Sequence, residues 1–396
     1  MSAPTILVDL SHTSHTRAQT GVQRVCRGLF RTLAARSQAE AITFDPFRRR
    51  WRLLEAWENQ TLAATAPSRK RGSRWPARAR WSGHLSRLLR RVEAPLPPAT
   101  GLIVPEIFSP QVGSNLRPVF EHCTGPRVAL FHDAIALSHP ELTPSATVTR
   151  FPSYLQELTA FDGIAAVSDD SRAALETYWR WAGLSHTPPV RTLSLPVPKP
   201  QAAGPAATPR PVVLSVGSIE GRKNHLALLE ACESLWEAGA DFELELIGHV
   251  QAVTGKPAFQ RIESLRAAGR PLRFHGAVED ATLEDAYARC TFTVYPSLVE
   301  GFGLPVLESI ARGKPCICSG HGALGESARG GGCLTLPAMT AGLLAGAIRR
   351  LLDDAPTREH LAAEAARRRF KTWDAYADEL TGWMQTLPLR QGLWIC

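Results

Sequence analysis

The second half of the chain alternates near-continuous apolar runs with longer segments of helical period, and that alternation leaves few folds open. VVLSVGS (212–218) is followed by HLALLEACESLWEAG (225–239), FELELIG (242–248) by FQRIESLRAAG (259–269), and LRFHGAV (272–278) by TLEDAYARC (282–290). FTVYPS (292–297), PVLESIARG (305–313) and KPCICSG (314–320) continue the series. Apolar, β-branched strands separated by helices mean a parallel sheet with both faces covered. The first half repeats the scheme, with strands at TILVDLS (5–11), GLIVPE (101–106), RVALFHD (127–133) and GIAAVS (163–168), and a helix at GVQRVCRGLFRTLAAR (21–36). Between the halves, LPVPKPQAAGPAATPRP (195–211) carries six prolines and no periodicity, which reads as a linker. The expected architecture is α/β, two Rossmann-like domains. The first covers 1–195, the linker 196–211 and the second 212–372, with a helix and tail at 373–396.

A chain of 396 residues has room for two such cores. Ordinary apolar and charged fractions, 44% and 21%, exclude global disorder. No apolar run approaches the length of a membrane span, and MSAPTILVDLSH lacks the basic and apolar regions of a secretory signal. Eight cysteines are scattered without a C-x-x-C pair, which argues against a zinc ribbon and a disulfide framework. The expectation is a cytoplasmic protein of a reducing compartment.

Charge is distributed unevenly. Residues 48–91 hold 13 Lys/Arg against two acids, a local balance of +11 in a chain of net charge +8, which leaves −3 for the rest. Trp51, Trp57, Trp75 and Trp81, four of the ten tryptophans, lie in the same stretch. Basic residues with tryptophan suit an anionic membrane surface. They also suit a single-stranded nucleic-acid platform, and a solvated loop is the plain alternative.

In doubly wound sheets ligands bind outside the carboxyl ends of the strands, so the loops after TILVDLS, VVLSVGS, FELELIG and FTVYPS are the places for chemistry. After FTVYPS the chain reads Leu298-Val299-Glu300-Gly301-Phe302-Gly303-Leu304-Pro305, then Val306-Leu307-Glu308 opens a helix. Pro305 suits the first helical position, and the free amides of a helix start favour an anion. Glu300 and Glu308 suit hydroxyl recognition, since a carboxylate accepts two hydroxyls. The plain alternative makes Glu308 a partner of the helix dipole and Glu300 a turn residue. After VVLSVGS comes Ser218-Ile219-Glu220-Gly221-Arg222-Lys223-Asn224-His225, whose adjacent cations before a helix form a candidate phosphate clamp.

Together, SVGSIEGRKNHLALLEA and FHGAVEDATLEDAYARCTFTVYPSLVEGFGLPVLESIARGKPCICS resemble the donor domain of glycosyltransferase family 4, through an E-x7-E motif at Glu300 and Glu308 within EGFGLPxLE. Thr20-Gly21-Val22-Gln23-Arg24, Phe131-His132-Asp133, Ala166-Val167-Ser168 and FKTWDAYADEL extend the resemblance over most of the chain, residues 48–98 excepted. The resemblance implies a retaining, metal-independent hexosyltransferase of the GT-B fold, two facing Rossmann-like domains with a cleft between them and a C-terminal helix crossing back. The N-terminal domain is then the acceptor domain and the C-terminal one binds the donor, a nucleotide-diphosphate sugar. It implies Lys223 on the donor diphosphate, aided by Arg222, the Gly303 and Leu304 amides and Gly21. Glu308 takes the nucleotide ribose, and Glu300 and His132 stand at the transferred sugar. The family often carries an arginine five residues before the lysine, where this chain has Ser218. TGVQRV and IExRKN look like those of bacterial polysaccharide mannosyltransferases, which tilts the donor towards GDP-mannose. The acceptor implied is a surface glycan or lipid-linked glycan, at the inner face of the cell membrane.

Other signals are weaker. Gly320-His-Gly322-Ala-Leu-Gly325 matches G-x-G-x-x-G but opens no βαβ unit and has no acid about 20 residues on. The sequence contains no Asp-x-Asp, and His12, His15 and His139 lack metal-ligand spacing, so neither metal nor cofactor is expected. A sugar-nucleotide epimerase or phosphorylase on the same fold is the first alternative, and a nucleic-acid-binding module built on the basic segment the second.

Overall fold

The computed structural model describes residues 5–64, 74–89, 94–197 and 208–390. They divide into two compact units, one of Met1–Leu137, Ser145–Leu195 and Thr372–Cys396, the other of Ser138–Pro144 and Pro196–Lys371. Among the described residues, no helix is long and apolar enough to cross a membrane.

The first unit is built on a seven-stranded sheet of β1 (Ile6–Asp9), β2 (Ala39–Asp45), β3 (Arg50–Leu53), β4 (Gly101–Val104), β5 (Arg127–Phe131), β6 (Gly163–Ala166) and β7 (Val190–Thr192), in the order β3-β2-β1-β4-β5-β6-β7. Every pairing is parallel except that of the edge strand β3 with β2. The helix Gly21–Ala35 buries Val25, Leu29 and Leu33, one residue per turn, with Cys26 beside them. Its Gly28 admits the helix Trp373–Gln385, because a Cβ there would lie 2.2 Å from the Trp373 ring. Tyr376, Ala377, Leu380, Trp383 and Met384 are the buried side of that last helix, and Arg36 donates to Asp374 and Asp378 at 2.5 Å each.

The second unit has six parallel strands, β8 (Val212–Val216), β9 (Glu243–Ile247), β10 (Leu272–Phe274), β11 (Phe292–Tyr295), β12 (Cys316–Ser319) and β13 (Cys333–Leu336). Both faces are apolar, as strand alternation requires of a covered sheet. On β12, Ile317 joins Phe292, Val294 and Leu228 on one side, while Cys316 and Cys318 join Val306 and Ile310 on the other.

The basic segment departs most from the sequence reading. Where the sequence offered a membrane-facing surface or a solvated loop, Arg50–Leu53 is a strand and Ala56–Ala63 and Ala77–Leu88 are helices. Trp51 is buried and donates Nε1–H to the Asn115 carbonyl at 2.6 Å, and Trp75 stacks on His15 with centroids 4.1 Å apart. Trp57 lies against both rings. Trp51 is thus part of the core and Trp57 and Trp75 are half-buried around His15, while Trp81 alone of the four is largely exposed. Residues 65–73 and 90–93 of the segment, and 198–207 of the linker, lie outside the described residues.

Candidate active site

The strand order of the second unit, β10-β9-β8-β11-β12-β13, reverses direction between β8 and β11. Loops leaving neighbouring strands in opposite directions part at such a point and leave a crevice for a ligand. The loops after β8 and β11 carry Arg222 and Lys223, and Glu300, and the Leu298 amide donates to the Arg222 carbonyl at 2.9 Å.

Arg222 and Lys223 sit in a single 3-10 turn, Gly221–Lys223, that runs straight into the helix His225–Glu237. The joint is Asn224, at φ 54° and ψ 36°. Asparagine tolerates the left-handed region better than most residues, and its Nδ2 is tied to the Met339 carbonyl at 2.8 Å. That turn buries Lys223. Its Nζ lies 2.6 Å from Glu300 Oε1 and also contacts the Tyr295 hydroxyl, which donates to the same oxygen at 3.0 Å. Arg222 reaches the second oxygen, Glu300 Oε2, at 2.5 Å and holds Glu220 at 2.9 Å. One buried carboxylate therefore bridges two adjacent cations.

Electrostatics follow from that geometry. Burial pushes the Glu300 carboxyl up, but Lys223 and then Arg222 outweigh it and hold it at about 2. Burial lowers the Lys223 ammonium below its ordinary value against the pull of Glu300. The Arg222 guanidinium loses to burial and gains more from Glu300 and Glu220, ending above its ordinary value. Burial, with the Lys223 charge added, drives His225 down to about 3, so its ring is neutral at physiological pH.

Beyond Glu300, Gly303 caps the helix Leu304–Ala311 at φ +103°. A side chain there would be strained by its backbone, and its Cβ would stand 3.0 Å from Ser327 Oγ. The helix begins at Leu304, one residue earlier than the sequence suggests, because the left-handed glycine turns the chain before the proline. Pro305 is thus its second residue. Glu308 is the fifth, buried and past the first turn, so it does not serve the helix dipole as the plain reading had it. The structure brings Arg222, Lys223 and Glu300 into direct contact and sets Gly303, Leu304 and Glu308 on the helix that follows the same loop.

Gly21 and His132 belong to the first unit. Gly21 is the exposed first residue of the helix Gly21–Ala35 rather than part of the loop before it. His132 is buried, and its Nε2 must carry the proton because it faces the Pro105 carbonyl at 2.7 Å. Burial lowers its basicity against that carbonyl and the charges of Asp133 and Glu106, which leaves a neutral ring with Nδ1 as acceptor.

Sequence reasoning passed over several residues here. Tyr295 and Glu220 complete the carboxylate–cation cluster; a tyrosine ending a buried strand and an acid two residues before the arginine were the available signals. In the first unit Glu106 accepts the His12 and Thr13 amides at 2.7 and 2.6 Å, while Arg27 donates to the Thr16 and Ala18 carbonyls at 2.6 and 2.7 Å. Those bonds hold the loop after β1 from both sides. His15 Nε2 meets Glu58 at 2.6 Å, and Arg52 grips the same carboxylate through two nitrogens at 2.7 and 2.9 Å. Part of the basic segment is therefore a clasp on that loop.

Residues 199–368 match a family described as glycosyl transferases group 1. The chain is 25% identical over 339 residues to the serotype-specific mannosyltransferase WbdA of Escherichia coli, covering 79% of this chain and 38% of that protein. It is 30% identical over 236 residues to O-antigen chain mannosyltransferase B of Escherichia coli, covering 57% and 61%. The chain thus spans less than two thirds of either relative. Among solved structures, the sucrose-phosphate synthase of Thermosynechococcus elongatus superposes at a TM-score of 0.70 and 18% identity, covering 96% of this chain and 98% of that one.

Proposed function

From a chain of GT-B fold that resembles bacterial polysaccharide mannosyltransferases and whose residues 199–368 match the group 1 glycosyl transferases, we propose a glycosyltransferase that takes a hexose from a nucleotide-diphosphate sugar. The observation that carries the proposal is the Lys223–Glu300–Arg222 cluster at the switch point of the second sheet, one loop from the Gly303–Leu304 helix start. As the anomeric C–O bond breaks, its electron pair goes to the diphosphate. Fixed cations and helix amides stabilise charge that grows there, and in a water-poor site each is worth more than in solvent.

Within that reading Lys223 and Arg222 serve the leaving diphosphate, with Gly303, Leu304 and Gly21 supplying backbone amides. Glu308 serves the ribose hydroxyls. Glu300 holds the two cations side by side and faces the sugar, and neutral His132 accepts a sugar hydroxyl through Nδ1. The resemblance supports retention of configuration, independence of metal and cofactor, and GDP-mannose as donor. The two mannosyltransferases support an acceptor on a surface glycan.

A lipid surface is the partner that best fits the helix Ala77–Leu88. Small residues face inward: Gly83, where a Cβ would lie 2.7 Å from Phe47, and buried Ser86. Trp81, Leu85 and Leu88, one turn apart, face out at 77%, 50% and 79% exposure, and Leu89 at 54%. Exposed Arg78, Arg80 and Arg87 flank them, with no acid from 77 to 89. Apolar bodies set among cations fit the headgroup region of an anionic bilayer. Work at that surface suits a lipid-linked acceptor.

A thermal-shift series with UDP, GDP, ADP and their sugars, followed by transfer assays with whichever binds, tests the donor assignment. Specific binding of one nucleotide stabilises the fold by roughly 2.7 kcal/mol at a hundredfold excess over Kd. No shift with any of them rejects it.

A further inference from the structure

Three cysteines from two neighbouring strands converge beneath the helix Leu304–Ala311. Cys316 on β12 is the register partner of Cys333 on β13, and Cys318, two residues along β12, points to the same face. The three Sγ atoms all lie within 4.8 Å of one another. They share an apolar cluster with Tyr295, Val306, Ile310, Leu324 and Ala365. Cys316 and Cys318 are buried and Cys333 is half-buried, which makes Cys333 the member of the group nearest to solvent.

A set of three thiols with no other ligand selects its occupant by charge. Among the described residues, no His, Asp, Glu or fourth Cys joins the group. Zinc in a closed site asks for four ligands. Monovalent copper held by three thiolates leaves a net double negative charge, and zinc a single one, in a pocket where uncompensated charge is costly. A trivalent thiophilic centre gives a neutral complex. Arsenite is the small, uncharged molecule of that class: As(OH)3 and three thiols condense to As(SR)3 and three waters, each As–O bond replaced by As–S, with no change of oxidation state.

We propose that Cys316, Cys318 and Cys333 form a three-thiol site that captures trivalent arsenic or a like thiophilic ion. The trapped atom would draw β12 and β13 together in the same apolar cluster that holds Tyr295, and so reach the Lys223–Glu300 site from below. Capture at the three thiols is independent of what that site turns over.

The test is native mass spectrometry of the full chain, reduced with a phosphine instead of a thiol and incubated with sodium arsenite. Wild type should gain one arsenic and lose three hydrogens. Cys318→Ala and Cys333→Ser should take up no arsenic, or one that keeps a hydroxyl on two thiols; the second, at a half-buried position, guards against misfolding of the first. Cys123→Ala, in the other unit, should keep the full adduct. Wild type without arsenic, wild type with a hydroxyl still on arsenic, or a three-hydrogen loss persisting in Cys318→Ala would each overturn the site. So would a bound zinc or copper that arsenite does not displace. Transfer activity is not read, so this experiment and the glycosyltransferase proposal fail separately.

Discussion

Lys223 Nζ stands 2.6 Å from Glu300 Oε1, joining the end of the loop after β8 to the loop after β11. Arg222 takes the other oxygen at 2.5 Å, so the carboxylate offsets the repulsion between neighbouring cations. Both cations are held at fixed positions before any phosphate arrives, which is the condition for electrostatic catalysis without reorganisation.

Lys223→Ala should therefore cut transfer by at least tenfold with the fold retained, since one donor to a leaving group is worth about 2–4 kcal/mol. Steady-state kinetics beside a circular dichroism spectrum decide it; wild-type kcat/KM would remove Lys223 from the diphosphate. Glu300→Ala carries a second signature. It leaves buried Lys223 without its counter-charge, while Arg222 keeps Glu220, and removing one partner of a buried pair typically costs about 3–5 kcal/mol. Both kcat and Tm should fall. A normal Tm with normal kcat would reduce Glu300 to a turn residue.

Glu308→Ala should act on binding. Ribose contacts change little between ground and transition states, so the donor KM should rise with kcat nearly constant. A fall in kcat alone, measured at saturating donor, would move Glu308 into the chemistry.

Activity should persist in EDTA. Lys223, Arg222 and helix amides supply at the diphosphate the positive charge that a divalent ion supplies elsewhere. Loss of turnover with EDTA, restored by Mg²⁺ or Mn²⁺, would reverse the assignment.

Asp9, at the carboxyl end of β1, gives a pH-dependent stability. Burial, helped by the Glu106 charge, raises its carboxyl from 3.8 to about 7. A raised acid holds a proton in the folded chain that the unfolded chain has released. Stability from this group is full below about pH 4, declines as pH rises towards 7, and is flat above that. Asp9→Asn keeps an oxygen for the Ser11 amide, which donates to Asp9 Oδ1 at 2.9 Å, and removes the ionisation. The Tm of the variant minus that of wild type should grow from pH 5 to pH 8, by roughly 2–4 °C for each kcal/mol recovered. A difference independent of pH would mean that Asp9 ionises normally.

The architecture was legible because strand and helix periodicity report burial, and burial on both faces dictates a parallel sheet. That Lys223, Arg222 and Glu300 lie on loops at strand carboxyl ends was legible because strand ends locate loops; their direct contact was not. Three other features were not. The Tyr295 hydroxyl lies in a run that reads only as apolar, so its polar contact waits on three-dimensional packing. The cysteines at 316, 318 and 333 looked scattered because their meeting depends on the β12–β13 register. Trp51, Trp57 and Trp75 looked like surface residues beside arginines, whereas Arg52 is itself buried against Glu58 and Asp45, a pairing that charge counting misses.

That burial concentrates the membrane prediction on the helix Ala77–Leu88. Arg69, Lys70 and Arg71, which composition also nominates, lie outside the described residues, so the outward face of the helix is the part that makes a specific forecast. Each basic side chain near an anionic bilayer contributes about 1 kcal/mol, fading within a Debye length, so Arg78, Arg80 and Arg87 together give weak, salt-sensitive adhesion. Trp81, Leu85 and Leu88 add apolar burial that salt does not screen, each worth about 1.5–3 kcal/mol if fully inserted. The protein should sediment with vesicles containing anionic phospholipid and not with neutral ones at 50 mM NaCl. Arg78, Arg80 and Arg87 changed together to Ser should weaken binding at low salt and remove its preference for anionic over neutral vesicles. Trp81→Ser with Leu88→Ser should instead leave a low-salt attachment that about 0.5 M NaCl removes completely. Hydrolysis of the donor in the absence of vesicles should be unchanged in both variants, because neither touches the Lys223–Glu300 cluster. Equal sedimentation of wild type with neutral and anionic vesicles, or none with either, would leave this apolar face without a lipid partner and favour a soluble glycan as acceptor.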